Sequence, residues 1–230
     1  MKASPAREHE AQHGALMDGV YRYQRHVYDL TRKYFLFGRD RMLNEMRLKP
    51  DARVLEIGCG TARNLIKLGS INPTADLYGL DASDAMLKTA TKAIARAKMS
   101  DRVHLTRAFA ESASRELFGS EAGFDAAIFS YSLSMIPDWR AALVAAAEIV
   151  ESDGTIRIVD FGDLKTLWPP LAHGLRAWLT WFHVSPRVEL LGVLEKAAES
   201  RECSLRILPF RYAFILTASP GAIRAIASGG

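Results

Sequence analysis

The chain predicts an α/β protein: a doubly wound, seven-stranded, mostly parallel sheet with an N-terminal helical cap and an insertion after the fifth strand. Three observations carry this. Short runs rich in Val, Ile, Leu and Phe alternate with helical stretches from residue 53 to residue 161, as in a parallel sheet covered on both faces. A glycine turn, Gly58-Cys59-Gly60, follows the first of those runs. Two apolar runs near the C-terminus, split only by Arg211, read as a closing hairpin.

In chain order, residues 17–47 predict one long helical stretch. Strands are expected at 53–57, 77–80, 103–106, 124–129 and 155–161, with helices at 62–70, 83–98, 112–118 and 138–151 between them. A tryptophan-rich segment at 164–184 interrupts the alternation, and a helix over 187–201 leads to the hairpin strands at 205–210 and 212–217. Both chain ends look disordered. The expected organisation is a cap over residues 1–49 and one domain over 50–230, with the insertion at about 164–184.

Composition bounds the chemistry. At 230 residues, 49% hydrophobic and 24% charged, the chain can bury a full core without staples. Its two cysteines, Cys59 and Cys203, lack ligand-like spacing, so neither a disulfide framework, a metal site nor an oxidising compartment is expected. Residues 1–14 are polar and resemble no signal peptide. The most apolar later stretch is broken by Lys165, Pro169, Pro170, His173, Arg176 and His183, which argues against a spanning helix. Charge is unevenly placed: residues 1–49 carry +4, residues 50–163 carry −4 and residues 164–230 carry +4. Basic flanks around an acidic centre suit an anionic partner. The expectation is a cytoplasmic protein held peripherally at the inner face of a membrane.

The strongest local signal is the run from Val54 to Asn64. Glycines after a buried strand let the backbone turn tightly and approach a ligand. A dinucleotide fingerprint wants a small residue at the sixth place, where this chain has Arg63. It offers instead Glu56 two residues before Gly58, and a carboxylate there suits a ligand with a cationic amine. Asp81 ends the second strand 21 residues after Gly60, the spacing of an acid that grips ribose hydroxyls. Its plainer reading is a helix cap, a role for which Ser83 is the better candidate.

These residues resemble motifs I and II of the class I S-adenosylmethionine methyltransferases, over residues 53–161. The resemblance implies S-adenosylmethionine as cofactor, with Gly58 and Gly60 cradling the methionine part, Glu56 orienting it and Asp81 holding the ribose. Arg107-Ala108-Phe109-Ala110-Glu111 is similar to the adenine loop, with Phe109 where the family often has aspartate. The implied cofactor set is Tyr28, Glu56, Gly58, Cys59, Gly60, Asp81, Ala82, Met86, Phe109, Ala110, Glu111 and Ser130. Ser130-Tyr131-Ser132 falls at the floor of the active site, and three polar residues ending a buried strand would otherwise want partners.

The flanks bear on the acceptor. On a helix, Tyr21, Arg25, Tyr28 and Arg32 share one face, with Val20, Tyr23, Val27, Leu30 and Tyr34 on the other. Rings interleaved with guanidiniums suit an anionic lipid surface. Single-stranded nucleic acid uses the same ingredients, but Trp168, Leu171, Leu175, Trp178, Leu179, Trp181 and Phe182 add an apolar anchor, so lipid and no nucleic acid is expected. The plain alternative is a buried helix packed on the sheet.

The cap's Tyr28-Asp29-Leu30, with Gly38 and Arg41 beyond, resembles the entry segment of ubiquinone/menaquinone-type methyltransferases. More narrowly, residues 21–34 and 130–139 look like the N-methyltransferases of bacterial betaine-lipid synthesis. That resemblance implies three successive methylations of the amine of diacylglyceryl-homoserine. Tyr21, Arg25, Arg32 and Trp178 would bind the lipid, an arginine pairing with the homoserine carboxylate. His26 and Tyr131 are the candidates for the amine's proton, and the Tyr131 ring could also face the growing ammonium. Phosphatidylethanolamine N-methylation, quinone-ring C-methylation and a non-catalytic cofactor-binding module on membrane or RNA remain the alternatives.

Overall fold

The computed structural model describes residues 36–119, 122–181, 188–199 and 203–229. Seven strands form one sheet in the order β3-β2-β1-β4-β5-β7-β6. β1 (Arg53–Ile57), β2 (Asp76–Asp81), β3 (Val103–Arg107), β4 (Phe124–Ser130) and β5 (Val150–Phe161) are parallel. β7 (Ala213–Ala218) runs antiparallel to β5, and β6 (Cys203–Ile207) antiparallel to β7. The sheet is doubly wound, Rossmann-like and mostly parallel, as the alternation predicts.

Burial explains the placement of β1. Val54, Leu55, Glu56 and Ile57 are all buried, so both faces of this strand must be covered, which is the condition of a central parallel strand. On one face lie α1 (Arg39–Asn44), α2 (Arg63–Ile71) and α3 (Asp84–Arg96), packing Met42, Leu43, Leu65, Leu68, Ala90 and Ile94 against Val54 and Val159. On the other lie α4 (Trp139–Ile149), α6 (Val188–Glu199) and α7 (Pro220–Ser228), whose Leu143, Leu190, Leu194 and Ile223 meet Leu55, Ile57 and Phe129. α5 (Pro169–Trp181) follows β5 in the insertion. Local signals start three of these helices: the side chains of Ser83, Asp138 and Ser219 accept from the amides of Met86, Ala141 and Ala222.

Several expectations are corrected. The N-terminal helical stretch does not run unbroken to residue 47: Gly38 is left-handed (φ 82°), α1 starts after it, and the helix ends at Asn44. Met42, Leu43 and Met46 share one core with Val54 and Ile215. The stretch 112–118 is two 3-10 turns, Ala110–Ser112 and Glu116–Phe118, since Ala113 between them is extended. The hairpin strands end and start around a turn at Pro209–Arg211 rather than a single residue. Residues 220–228 are helical, not disordered, and Ser219-Pro220 is the cap-plus-proline start that marks it.

Candidate active site

The strand order reverses between β1 and β4, and a crevice outside the carboxyl ends of strands at such a point is where open α/β sheets bind ligands. The turn after β1 is built for close approach. Gly58 (φ 77°) and Gly60 (φ 54°) are left-handed. The amides of Gly58 and Cys59 both donate to the carbonyl of Leu80, at 2.8 and 3.0 Å, which ties the turn to the end of β2. A Cβ on Gly58 would lie 2.6 Å from that of Ser132, so no side chain fits there.

The two carboxylates are fixed by neighbours. Glu56 is buried at the end of β1, and its Oε1 accepts from Asn64 Nδ2 at 2.6 Å, from the first turn of α2. Asp81 Oδ2 accepts from the Gly60 amide at 2.8 Å and Oδ1 from the Ser83 amide at 2.9 Å. Asp81 thus shapes the glycine turn, while Ser83 caps α3 through the Met86 amide. Ala82 follows at the mouth, and its carbonyl accepts from Arg107 Nε at 3.4 Å. Met86 is buried beneath it.

Arg63 does not block the crevice. Its Nη1 and Nη2 donate to Asp40 Oδ1 and Oδ2 at 2.7 and 3.1 Å, turning the guanidinium away toward α1. Lys67 joins the same carboxylate at 3.0 Å. The Arg63 hydrogen bonds hold Asp40 well below the usual carboxylate range.

The loop after β3 carries Phe109, half-buried, then Ala110, packed into the core, and Glu111, exposed. The Ala108 amide donates to the Asp81 carbonyl at 3.2 Å, bringing this loop to the crevice rim. The Cys59 side chain is buried in the core, its Sγ 2.8 Å from where a Gly79 Cβ would stand. Only its backbone faces the turn.

After β4, two of the three polar residues have partners. Ser132 Oγ donates to the Ile57 carbonyl at 2.9 Å. Tyr131, buried and left-handed (φ 56°), donates its hydroxyl to the Phe37 carbonyl at 2.6 Å. Burial pushes its phenol well above its ordinary value, and in this arrangement the neutral hydroxyl donates to Phe37. Ser130 Oγ is buried and unpartnered among the described residues. Asp160, at the end of β5, is buried with its Oδ2 on the Ser134 amide at 3.0 Å. Burial raises it to about 6, against the pull of the Phe161 and Ser134 amides.

Tyr21, Arg25, His26, Tyr28 and Arg32 lie outside the described residues, and Trp178 lies on α5 with its side chain outside them. Sequence reasoning missed Asn64 and Asp163. Asn64 was legible as a polar residue at the start of a helix that must pack on β1. Among the described residues no cluster of metal-ligating side chains occurs.

An unpartnered serine hydroxyl, a glycine turn closed to any side chain and two held carboxylates fit a cationic ligand bearing an amine and ribose hydroxyls. The comparisons agree. The family model described as a methyltransferase domain matches residues 55–156. Residues 55–156 are thus similar to a methyltransferase domain, and the cofactor of this class is S-adenosylmethionine.

Among curated proteins, the chain is similar to demethylmenaquinone methyltransferase of Corynebacterium glutamicum (strain R). The two are 29% identical over 139 residues, 58% of this chain and 54% of that protein. It is also similar to the ubiquinone/menaquinone biosynthesis C-methyltransferase UbiE of Syntrophotalea carbinolica, 26% identical over 70% of this chain and 66% of that one. The chain thus spans about half to two thirds of the length of these relatives. The apo S-adenosylmethionine-dependent methyltransferase SibL shares the fold, with a TM-score of 0.60 at 22% identity over 86% of this chain and 57% of that one.

Proposed function

We propose that the protein transfers methyl groups from S-adenosylmethionine to the amine of a lipid head group, diacylglyceryl-homoserine. The observation that carries the methyl-transfer part is the Gly58–Gly60 turn locked to Asp81 beside the Asn64-held Glu56. When bound, the cofactor supplies a methyl group activated on a sulfonium. Glu56 would hold its amine, Asp81 its ribose hydroxyls, the Gly58–Gly60 backbone its carboxylate end, and Phe109 the edge of its adenine. Fixing donor and acceptor in line supplies an effective concentration of order 10⁵–10⁸ M.

The choice of acceptor rests on the betaine-lipid resemblance of residues 21–34 and on the basic flanks. Arg25 and Arg32 would pair with the homoserine carboxylate, with Tyr21 and Trp178 against the lipid. With Tyr131 committed to Phe37, His26 is the candidate that takes the amine's proton, and a histidine pKa near 6.5 would appear in the pH profile of transfer. A peripheral position at the inner face of a membrane belongs to the same proposal.

Quinone-ring C-methylation is the second reading, favoured by the names of the relatives. Labelled methyl donor offered with diacylglyceryl-homoserine, phosphatidylethanolamine and a demethylated quinone separates the two. Label on the homoserine lipid is expected; label only on the quinone, or only on phosphatidylethanolamine, overturns the choice of acceptor.

A further inference from the structure

Among the described residues, the sheet leaves a polar stretch uncovered toward the end away from the crevice. Along β5, Thr155, Arg157 and Val159 share a face, because side chains alternate on a strand. Val159 and Ile215 lie in the core with Met42 and Leu43 of α1, which spans only six residues. Below them Thr155, Arg157 and Thr217 are half-buried, and Ser204 and Arg206 on β6 are exposed. Arg157 pairs with Thr217 across β5 and β7, and Thr217 with Ser204 across β7 and β6, so the three form one row. The row borders a cavity of about 550 Å³, lined by Thr155, Thr217, Ser204 and Asp153 among others.

The charges on this face do not balance. Glu45, which follows α1, accepts from Arg41 Nε at 2.8 Å and from Arg206 Nη1 at 2.9 Å. It is also the acid whose field reaches Arg157, so three guanidiniums share one carboxylate. Arg157 makes no hydrogen bond or ion pair among the described residues, although burial already pulls its guanidinium below its ordinary value. The side-chain hydroxyls of Thr155, Thr217 and Ser204 likewise make no hydrogen bond among them. Donors that are partly desolvated and left without acceptors are costly, and a charged one most of all.

A single phosphate suits the cations. It carries more charge than a carboxylate and presents several acceptor oxygens to planar guanidinium forks. The remainder of the ligand is neutral and hydroxylated, because Asp153 repels a second anion and, with the neighbouring hydroxyls, offers partners to O–H groups. We infer that this face is a second binding site, outside the crevice, for a small phosphate ester of a polyol. Arg157 and Arg206 take the phosphate, which displaces Glu45 from Arg206, and Thr155, Thr217, Ser204 and Asp153 take the hydroxyls. The site does not depend on the choice of methyl acceptor.

Calorimetric titration of the full chain with glycerol 3-phosphate tests it. One saturable site is expected, with inorganic phosphate about tenfold weaker and glycerol without measurable heat. Arg157→Gln and Arg206→Gln should each weaken the ester about tenfold, the effect of one charge-assisted hydrogen bond. Thr217→Val should weaken the ester about fivefold and leave inorganic phosphate unchanged. Glu45→Gln should strengthen the ester about threefold, by removing the competing carboxylate. S-adenosylhomocysteine affinity should stay within about twofold in every variant, because the crevice is distant. No binding of the ester, unchanged affinity in both arginine variants, or displacement of the ester by S-adenosylhomocysteine would each overturn the site. Arg206 is exposed, so its variant carries the test even where Arg157→Gln fails to fold. Uptake onto phosphatidylglycerol vesicles without binding of the soluble ester would point to a lipid head group as the source of phosphate and overturn the site as well.

Discussion

The two halves of the crevice edge are built on opposite principles. At the ends of β1 and β2, glycines adopt the left-handed conformation at little cost, and carboxylates are held by an amide side chain and by backbone N–H groups. At the ends of β5 and β7, the left-handed positions are Leu164, Phe210 and Arg211, and the buried Asp163 is held by a guanidinium. In the first half the acids are oriented by Asn64 and by the Gly60 and Ser83 amides. The second satisfies its charges internally and spends them on shape. One half is therefore a receptor and the other a brace, and each can be broken separately.

The largest effect is expected at the receptor. Gly58→Val places a branched side chain at φ 77° with its Cβ against Ser132. Left-handed strain of about 1–2 kcal/mol adds to overpacking of about 1–3 kcal/mol. Calorimetric titration with S-adenosylhomocysteine should lose measurable binding, and the melting temperature should fall. Retained affinity would mean that the turn does not approach the ligand.

The brace comes next. Asp163→Asn removes the bidentate partner of Arg211 and leaves that guanidinium to Glu195 alone. The pair is part-buried, and losing it costs about 2 kcal/mol, the stabilisation carried by the depressed Asp163 carboxyl. Denaturant unfolding should show that loss, while S-adenosylhomocysteine affinity stays within about twofold. A large loss of affinity in this variant would mean that brace and receptor are one unit.

The same contrast decides what could be read in advance. The receptor was legible because its parts are adjacent in the chain and each imposes a residue type: glycine where φ is positive, an acid before the turn, another at the end of the second strand. The strands were legible for the same reason, as runs of apolar residues with fixed length. The brace was not, because Arg211 and Asp163 lie 48 residues apart and nothing local marks their pairing. Phe210 in particular reads as one more strand residue until that pairing is known. Asn64 was an intermediate case, inside the motif but recognisable only once α2 is packed on β1. The tether from Tyr131 to Phe37, spanning 94 residues, had no sequence signal.

Asp160 and Asp163 sharpen the comparison by titrating in opposite senses. Burial lifts Asp163, but the Arg211 hydrogen bonds, aided by Lys165, outweigh it and hold the group at about 2 against an ordinary 3.8. Its stabilisation of about 2 kcal/mol is present above pH 4 and is lost as pH falls from about 4 to 2. No guanidinium bonds Asp160 among the described residues, and burial carries it from 3.8 to about 6. The native state then binds the extra proton, so stability falls by about 3 kcal/mol as pH rises from about 4 to 6. Unfolding free energies measured across both windows should flatten between pH 4 and 6 in Asp160→Asn. They should flatten below pH 4 in Asp163→Asn.

The smallest effect is expected at the join between the halves. Tyr131→Phe keeps the ring, which stacks edge-on against Phe161 at 4.6 Å, and removes only the hydroxyl that reaches the Phe37 carbonyl. A net loss of about 1 kcal/mol follows from one such hydrogen bond. Because Phe37 stands exposed and Tyr131 follows β4 directly, the bond couples the two. If it is only a tether, the variant should lose that stability while the pH profile of methyl transfer keeps its shape. If Tyr131 instead takes the proton from the acceptor amine, the rate should drop at every pH and the basic arm of the profile should vanish. Melting curves set beside a rate–pH series in the same buffers separate the two roles.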